Sequence, residues 1–242
     1  MPQRPSAMDR VPELVDAAAK VFAEKGYRAT QMADVAASMG VAAGSLYNYV
    51  DSKEGLFALC LERMMHQDRP LQVTLPFVAP PLDVTLKRVD ERVRELLRLP
   101  ALSSRAGGEP SPARAEAELR AVVTELFDVF SETRLAVDMI ERSARDLPAL
   151  AALFYDHWRA PLVDRLDHFL RSRMDRGGLR PVDDVAVAAR FVLEAVVWFA
   201  RHRFHDVDAY RLDEAPVRAT VTGLIVSAFA LRRSQDDERL PR

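Results

Sequence analysis

The segment "TQMADVAASMGVAAGSLYNYV", residues 30–50, constrains the fold more than any other stretch of the chain. Counted from Met32, apolar residues fall at the fourth, eighth, tenth and fifteenth places, as Val35, Met39, Val41 and Leu46. Ala36 stands at the fifth place and Gly40 at the ninth. Two helices that cross steeply need a small side chain where they touch. The turn between them needs a residue that tolerates positive φ. The apolar places then seal the pair against a first helix. That helix is legible upstream: Leu14, Ala18, Val21 and Phe22 recur at i, i+4, i+7 and i+8. Gly26 suits its C-terminal cap. Thr30 is expected to cap the following helix, with Asp34 in its first turn.

On a wheel at about 100° per residue, Leu46 and Val50 point inward, with Ala42 and Ala43 near the same side. Gly44, Ser45 and Asn48 point outward, flanked by Tyr47 and Tyr49. This outward surface is short, polar and aromatic, with glycine where another backbone could come close. It suits a helix laid in a major groove. Tyrosine hydroxyls and Lys53, near the start of the next helix behind a Ser52 cap, suit phosphates. The DNA-contacting set read from the sequence is Thr30, Gln31, Ala42, Ala43, Gly44, Ser45, Tyr47, Asn48, Tyr49 and Lys53.

The rest of the chain reads as helix. Stretches at about 113–144, 148–176, 183–204 and 214–233 carry helical periodicity. The proline-rich "TLPFVAPPLD" (74–83) should end the helix that starts at Lys53, and "LPALSSRAGGEPSPAR" (99–114) reads as an irregular loop. No alternating strand pattern and no repeat is present. The expectation is an all-α chain, with a three-helix N-terminal helix-turn-helix domain over 8–68 (helix-turn-helix 31–50) and a larger helical domain over 69–242.

The stretch "AAAKVFAEKGYRATQMADVAASMGVAAGSLYNYVDSKEGLF" resembles the TetR-type (tetracycline-repressor-like) transcriptional regulators. The likeness covers about residues 10–60 and keeps the order "F-x-x-x-G-Y", Thr30, "x-x-A", Gly40, "L-Y-x-Y", "S-K-E". It implies a homodimer on a palindromic double-stranded DNA operator, and a small-molecule effector in the C-terminal domain that shifts the reading heads apart. It implies a repressor rather than an enzyme. An activator or a protein-controlled regulator of the same fold is the alternative, and a helical-bundle metal enzyme the remote one. Departures are visible too. Alanine stands at position 42, where the family often has a capping serine or threonine, and a lost cap costs about 1 kcal/mol. Ala43 replaces a common polar or basic residue, and Val50 a usual aromatic.

Charge limits how such a head can bind. The chain is close to neutral, at −2. Residues 1–66 hold seven basic and eight acidic side chains, and residues 42–50 hold no lysine or arginine. The expectation is weak non-specific binding and a shallow salt dependence. Specificity would rest on Asn48, on alanine contacts to thymine methyls and on DNA shape.

The C-terminal helices "VAVAARFVLEAVVWFA" and "VRATVTGLIVSAFAL" are apolar nearly all round and must be buried on most sides. Ala195, Ala219 and Gly223 permit close approach. By the resemblance these helices form the dimer interface, with Ala195, Trp198, Phe199, Ala219, Gly223 and Val226. The stretch 113–144 carries Leu119, Val123, Leu126, Phe127, Phe130, Val137 and Ile140 on one apolar stripe. An effector wall adds polar groups to such a stripe. The candidates are Phe127, Phe130, Arg134, Asp138, Phe154 and Trp158, and a hydrophobic or amphipathic effector follows from the resemblance.

Other chemistry is thin. His202, His205 and Asp206 have helical spacing but read as a helix-end polar cluster, and His157 and His168 as surface or pocket residues. No phosphate-loop or nucleophile-elbow sequence occurs, and no cofactor or metal is expected. Cys60 is the only cysteine; it excludes internal disulfides and reads as a buried, inert thiol. The N-terminus lacks an apolar signal region. The longest apolar runs fall far below the roughly 20 residues that span a bilayer, so a cytoplasmic protein without membrane contact is expected.

Overall fold

A computed structural model describes residues 8–65, 73–104, 109 and 111–231. Among them every regular element is helical, apart from one isolated bridge, as the periodicity predicts. No helix of the described residues is long and apolar enough to cross a membrane. The chain forms two compact units. One runs to Leu97 and takes in Thr133–Arg159; the other is Arg98–Glu132 with the chain from Ala160 onward. The boundary expected at residue 68 lies outside the described residues. The unit that holds the helix-turn-helix extends well past that position.

In this first unit, α1 (Val11–Ala29) buries Leu14, Val15, Ala18, Val21 and Phe22 on one face. That face packs on α7 (Arg134–Ala144) and on α3 (Lys53–Met65). Near its end Gly26 takes φ 82° and ψ 171°, a conformation essentially confined to glycine. Gly26 thus bends α1 rather than capping it, and the C-cap position falls at Thr30. The bend aims the Arg28 N–H at Asp146 Oδ2, 2.8 Å away, which ties the end of α1 to the residues just after α7. Ser52 caps α3 as expected, its Oγ accepting from the Gly55 N–H at 3.0 Å. Cys60 is fully buried, its thiol donating weakly to the Val15 carbonyl at 3.7 Å. Burial pushes its pKa far up, so the thiolate that reactive cysteines need is suppressed.

One helix of this unit was not anticipated. α4 (Leu82–Leu96) follows the proline-rich stretch directly, with Leu86 and Val89 buried and Val93 packed against the same core. The spacing was available in the sequence but was masked by the flanking prolines and by the strongly charged outer face. α8 (Pro148–Ala152) and a π-helical turn (Leu153–Arg159) complete the unit.

The second unit contains α5 (Pro100–Ser103), α6 (Pro112–Glu132), α9 (Ala160–Asp175), α10 (Val185–Ala200) and α11 (Glu214–Phe229). α10 packs on both α9 and α6, and α11 on α6 and α10. Asp184 caps α10, accepting from the Val187 N–H at 3.1 Å.

Two long helices of the sequence reading are interrupted. The stretch 113–144 breaks at Thr133, whose φ −97° and ψ 11° leave the helical region. Its apolar stripe is thereby divided: Leu119, Val123, Leu126 and Phe127 belong to one unit, Val137 and Ile140 to the other. The stretch 148–176 opens into the π-helical turn before α9. Pro161 cannot donate to the carbonyl one turn back, and a widened turn accommodates the missing bond. The loop expected over 99–114 begins with a helical turn, α5, that buries Leu102; residues 105–108 and 110 lie outside the described set, as do 232 and 233 of the last expected helix.

Candidate nucleic-acid interface

The helix-turn-helix assembles much as its spacing predicts. α2 (Met32–Ser38) buries Val35 and Ala36. Gly40 turns the chain at φ 66°, and Leu46 and Val50 are sealed completely. Its start differs from expectation. Thr30 is buried, and its hydroxyl donates to the Gly26 carbonyl at 2.7 Å. It locks the bend after α1, so it neither caps α2 nor offers its side chain to a phosphate. The capping position belongs to Gln31, whose N–H donates to Asp34 Oδ2 at 2.9 Å. Lys25 Nζ lies 2.7 Å from the other oxygen. This lysine hydrogen bond, with the Gln31 N–H second, holds the Asp34 carboxyl below its usual pKa.

The reading element itself, Ala43–Asn48, is a 3-10 helix. Its cap position is Ala42, which offers no side-chain acceptor, and the uncapped segment closes by i→i+3 bonds such as Ser45 N–H to the Ala42 carbonyl at 2.9 Å. Three residues per turn replace 3.6. Relative to Leu46 this winding carries Ala42 outward, and Ala43, at the open start of the element, is exposed with it rather than inward. Gly44, Tyr47 and Asn48 are exposed, Ser45 and Tyr49 half-buried, and Gln31 exposed. The outward surface is thus Ala42, Ala43, Gly44, Tyr47 and Asn48, while Tyr49 leans on the core.

Lys53 has a second job that the sequence did not reveal. Its Nζ donates to the carbonyls of Tyr27 (3.1 Å) and Arg28 (3.3 Å) and sits 4.8 Å from the centre of the Tyr27 ring. Tyr27 in turn donates its phenol to Glu54 Oε1 at 2.8 Å. Burial, then that bond and the Glu54 charge, push the phenol pKa well up, so Tyr27 remains a donor. The residue pair that opens α3 therefore clamps the end of α1.

A further support was missed. Residues 73–81 return beneath the reading element, where Phe77 pairs with Val50 in a parallel bridge. The Phe77 N–H donates to the Tyr49 carbonyl at 2.7 Å, and the Asp51 N–H to the Phe77 carbonyl at 3.2 Å. Proline-rich composition signalled a helix break but not this pairing.

Comparison with known proteins agrees with this geometry. The family of "bacterial regulatory proteins, tetR family" matches residues 14–60, and the "AefR-like transcriptional repressor, C-terminal domain" matches residues 117–230. The chain belongs to the TetR family. Among relatives of this TetR chain, the HTH-type transcriptional repressor KstR2 of Rhodococcus jostii is 52% identical over 44 residues. The match spans 18% of this chain and 22% of that relative's length. Two solved structures share the fold. One is a TetR-family member from Streptomyces coelicolor, with TM-score 0.56 at 19% identity, covering 91% of each chain. The other is the ketosteroid transcriptional regulator KstR2 of Mycobacterium tuberculosis, with TM-score 0.55 at 18% identity, covering 95% of this chain and 98% of that one.

In this TetR-family chain the residues expected at a dimer contact divide. Trp198 and Ala219 are exposed, Ala195, Phe199 and Gly223 half-buried. Val226 is only 3% exposed and packs inside its own unit, so it is removed from the set. Wheel reasoning on a nearly all-apolar helix cannot choose the outer face. The exposed apolar side chains it missed are Val187, Phe191 and Leu224, at 65%, 55% and 67%.

The expected effector residues also divide. Phe127 (fully buried) and Phe130 belong to the second unit, and Arg134, Asp138, Phe154 and Trp158 to the first. Phe154 and Trp158 meet edge to face, with centroids 6.4 Å apart. The Trp158 indole donates to Asp90 Oδ1 at 2.8 Å. Among the described residues no three potential ligands gather for a metal. The "HRFHD" stretch is organised by a residue between its histidines. Arg203, almost fully buried, donates to the carbonyls of Phe199 (2.7 Å) and Leu212 and so ties off α10.

Proposed function

We propose that the chain is a sequence-specific DNA-binding transcriptional regulator of the cytoplasm, a homodimeric repressor released from a palindromic operator by a small hydrophobic or amphipathic effector, with no enzyme activity. Residues 8–68 read the DNA, and 69–242 dimerise and take the effector. The observation that carries this reading is the exposed Gly44–Tyr47–Asn48 face on a turn whose other side, Leu46 and Val50, is sealed. Such a face has no structural task of its own and is shaped for base edges. Ala42 and Ala43, exposed beside it, suit thymine methyls. Coupling follows if effector and operator favour different separations of the two heads.

The first test is fluorescence anisotropy of the protein on DNA upstream of its own gene, at low and near-physiological salt. Saturable binding that resists competitor DNA is the expected result. Binding that competitor abolishes at both salts counts against a specific reader. Within that assay Asn48→Ala should alter the preferred base at one operator position, whereas Tyr47→Ala should weaken all sites alike. An unchanged preference profile over an operator library removes Asn48 from base reading.

Salt dependence gives a second expectation. Lys25 is committed to Asp34 and Lys53 to two carbonyls, and the reading element holds no cation. The slope of log K against log salt should fall well short of the about −5 to −9 that six to ten neutralised phosphates give. A slope in that range shows that phosphate contacts dominate after all.

A further inference from the structure

The reading element is too short to hold its own shape. Ala43–Asn48 is a 3-10 segment of 6 residues with no side-chain cap. Its i→i+3 bonds have poorer geometry than those of an α-helix, and so short a helix is marginal in water. Leu46 is its one buried side chain. A single anchor fixes the depth of the segment in the core but leaves it free to rotate about that point. Base reading demands more, because contact groups must be held within about 0.5 Å and 10–20° of their working geometry.

A second anchor comes from outside the helix-turn-helix. Along residues 73–78 every other side chain turns inward. Val73, Leu75 and Phe77 are half-buried against the core, and Thr74, Pro76 and Val78 are exposed. Phe77 brackets Val50 through the main chain. It donates to the Tyr49 carbonyl at 2.7 Å and accepts from the Asp51 N–H at 3.2 Å. Gly55, buried in the first turn of α3, makes room for this. A Cβ there would fall 3.1 Å from the Phe77 carbonyl oxygen and 2.6 Å from Asp51 Oδ1. The bonds engage backbone, so they hold the exit of the reading element whatever side chains it carries. Asn48 is the residue next to the bonded Tyr49.

We propose that Phe77 is a positioning residue for DNA reading. Its main-chain bridge to Val50 sets the orientation of Tyr47 and Asn48, and so governs discrimination between DNA sequences rather than general attraction to DNA. This rests on the proposed reading of bases by the Gly44–Tyr47–Asn48 face. The two kinds of binding separate because attraction to unrelated DNA comes from phosphates, whereas discrimination comes from base edges.

The test compares Phe77→Ala with Phe77→Pro in the full chain. Alanine removes the ring and keeps the N–H; proline removes the donor as well. Affinity is measured for the operator that the parent selects from a random-sequence duplex library, and for an unrelated duplex of equal length. The ratio of the two should be roughly 10-fold lower in Phe77→Pro than in Phe77→Ala, the worth of one good base contact. Affinity for unrelated DNA should stay close to the parent's. A bridge that only stabilised the fold would lower the folded fraction, and both affinities alike, and leave the ratio unchanged. Hydrogen exchange of the free protein adds a readout without DNA: the Tyr49, Val50 and Asp51 amides should exchange faster in Phe77→Pro than in Phe77→Ala, with those of α1 unchanged. Where Phe77→Pro does not fold, Gly55→Ala decides, since its methyl crowds the Phe77 carbonyl while alanine favours the helix; it should lower the ratio below the parent's. The proposal is overturned by equal ratios or equal exchange in the two Phe77 variants, or, in that second case, by a Gly55→Ala ratio that matches the parent's. A parent that selects no operator at all instead overturns the base reading on which the proposal rests.

Discussion

The double variant Phe191→Asp, Leu224→Asp is expected to remain folded, become monomeric and lose operator affinity by roughly two to four orders of magnitude. Both side chains are more than half exposed, on helices that pack against each other. Val187, Phe191 and Trp198 sit at i, i+4 and i+11, so α10 presents one apolar face outward, and Leu224 presents another from α11. Apolar surface of this kind, exposed on adjacent helices, marks an interaction site. A second copy covers it in the proposed dimer. Carboxylates at its centre would be desolvated without partners, whereas on a free monomer they stay in water at little cost. Each reading head then binds its half-site alone, and the gain from tethering two heads disappears. Sedimentation equilibrium and operator anisotropy read the two effects separately. A variant that stays dimeric at micromolar concentration shows that the contact lies elsewhere. A monomer with undiminished operator affinity shows that one head suffices.

The residues that could be read from the sequence are those whose role follows from local geometry. Gly26 and Gly40 both adopt the positive φ that their places demand. Leu46 and Val50 are sealed as their spacing requires, because a wheel error of a few tens of degrees does not move the centre of an apolar face. It does move the edge. Ala42 and Ala43 stand at the cap and first position of a 3-10 element, where a wheel is least informative, and nothing in alanine's own chemistry marks either side. Thr30 and Lys53 held contacts of a different kind. Each has the chemistry of a cap or a phosphate contact, and each binds carbonyls at the end of α1, Thr30 instead of capping α2 and Lys53 in addition to the role expected of it. Only the bend at Gly26 brings those carbonyls within reach. The break at Thr133 had no glycine or proline to announce it, and the Phe77–Val50 bridge joins residues 27 apart across a stretch that composition marks only as irregular.

Phe22→Ala is expected to lower the unfolding free energy of the first unit by about 3–5 kcal/mol. Phe22 is fully buried and belongs to a three-ring cluster with Tyr27 and Phe57. It lies parallel to Tyr27 at 6.3 Å and edge-on to Phe57 at 5.0 Å, while Tyr27 meets Phe57 at 5.1 Å. The cost has two parts. Transfer of the ring out of the core and the cavity it leaves account for most of it, and each aromatic pair adds about 0.5–1.5 kcal/mol beyond burial. The consequence reaches the reading head through named contacts. Tyr27 keeps its position against Phe22, and Tyr27 is what Lys53 covers and Glu54 accepts from. Loss of the ring therefore loosens the junction of α1 with the start of α3, just after the reading element. Chemical denaturation measures the stability term. Hydrogen exchange at the amides of α3 should rise more than at those of α10, which lies in the other unit. A Phe22→Ala, Phe57→Ala cycle then isolates the ring contact, and a coupling near zero would show that cavity volume alone sets the loss. A total loss under about 1 kcal/mol is too small for a fully buried phenylalanine and would contradict the packing described around it.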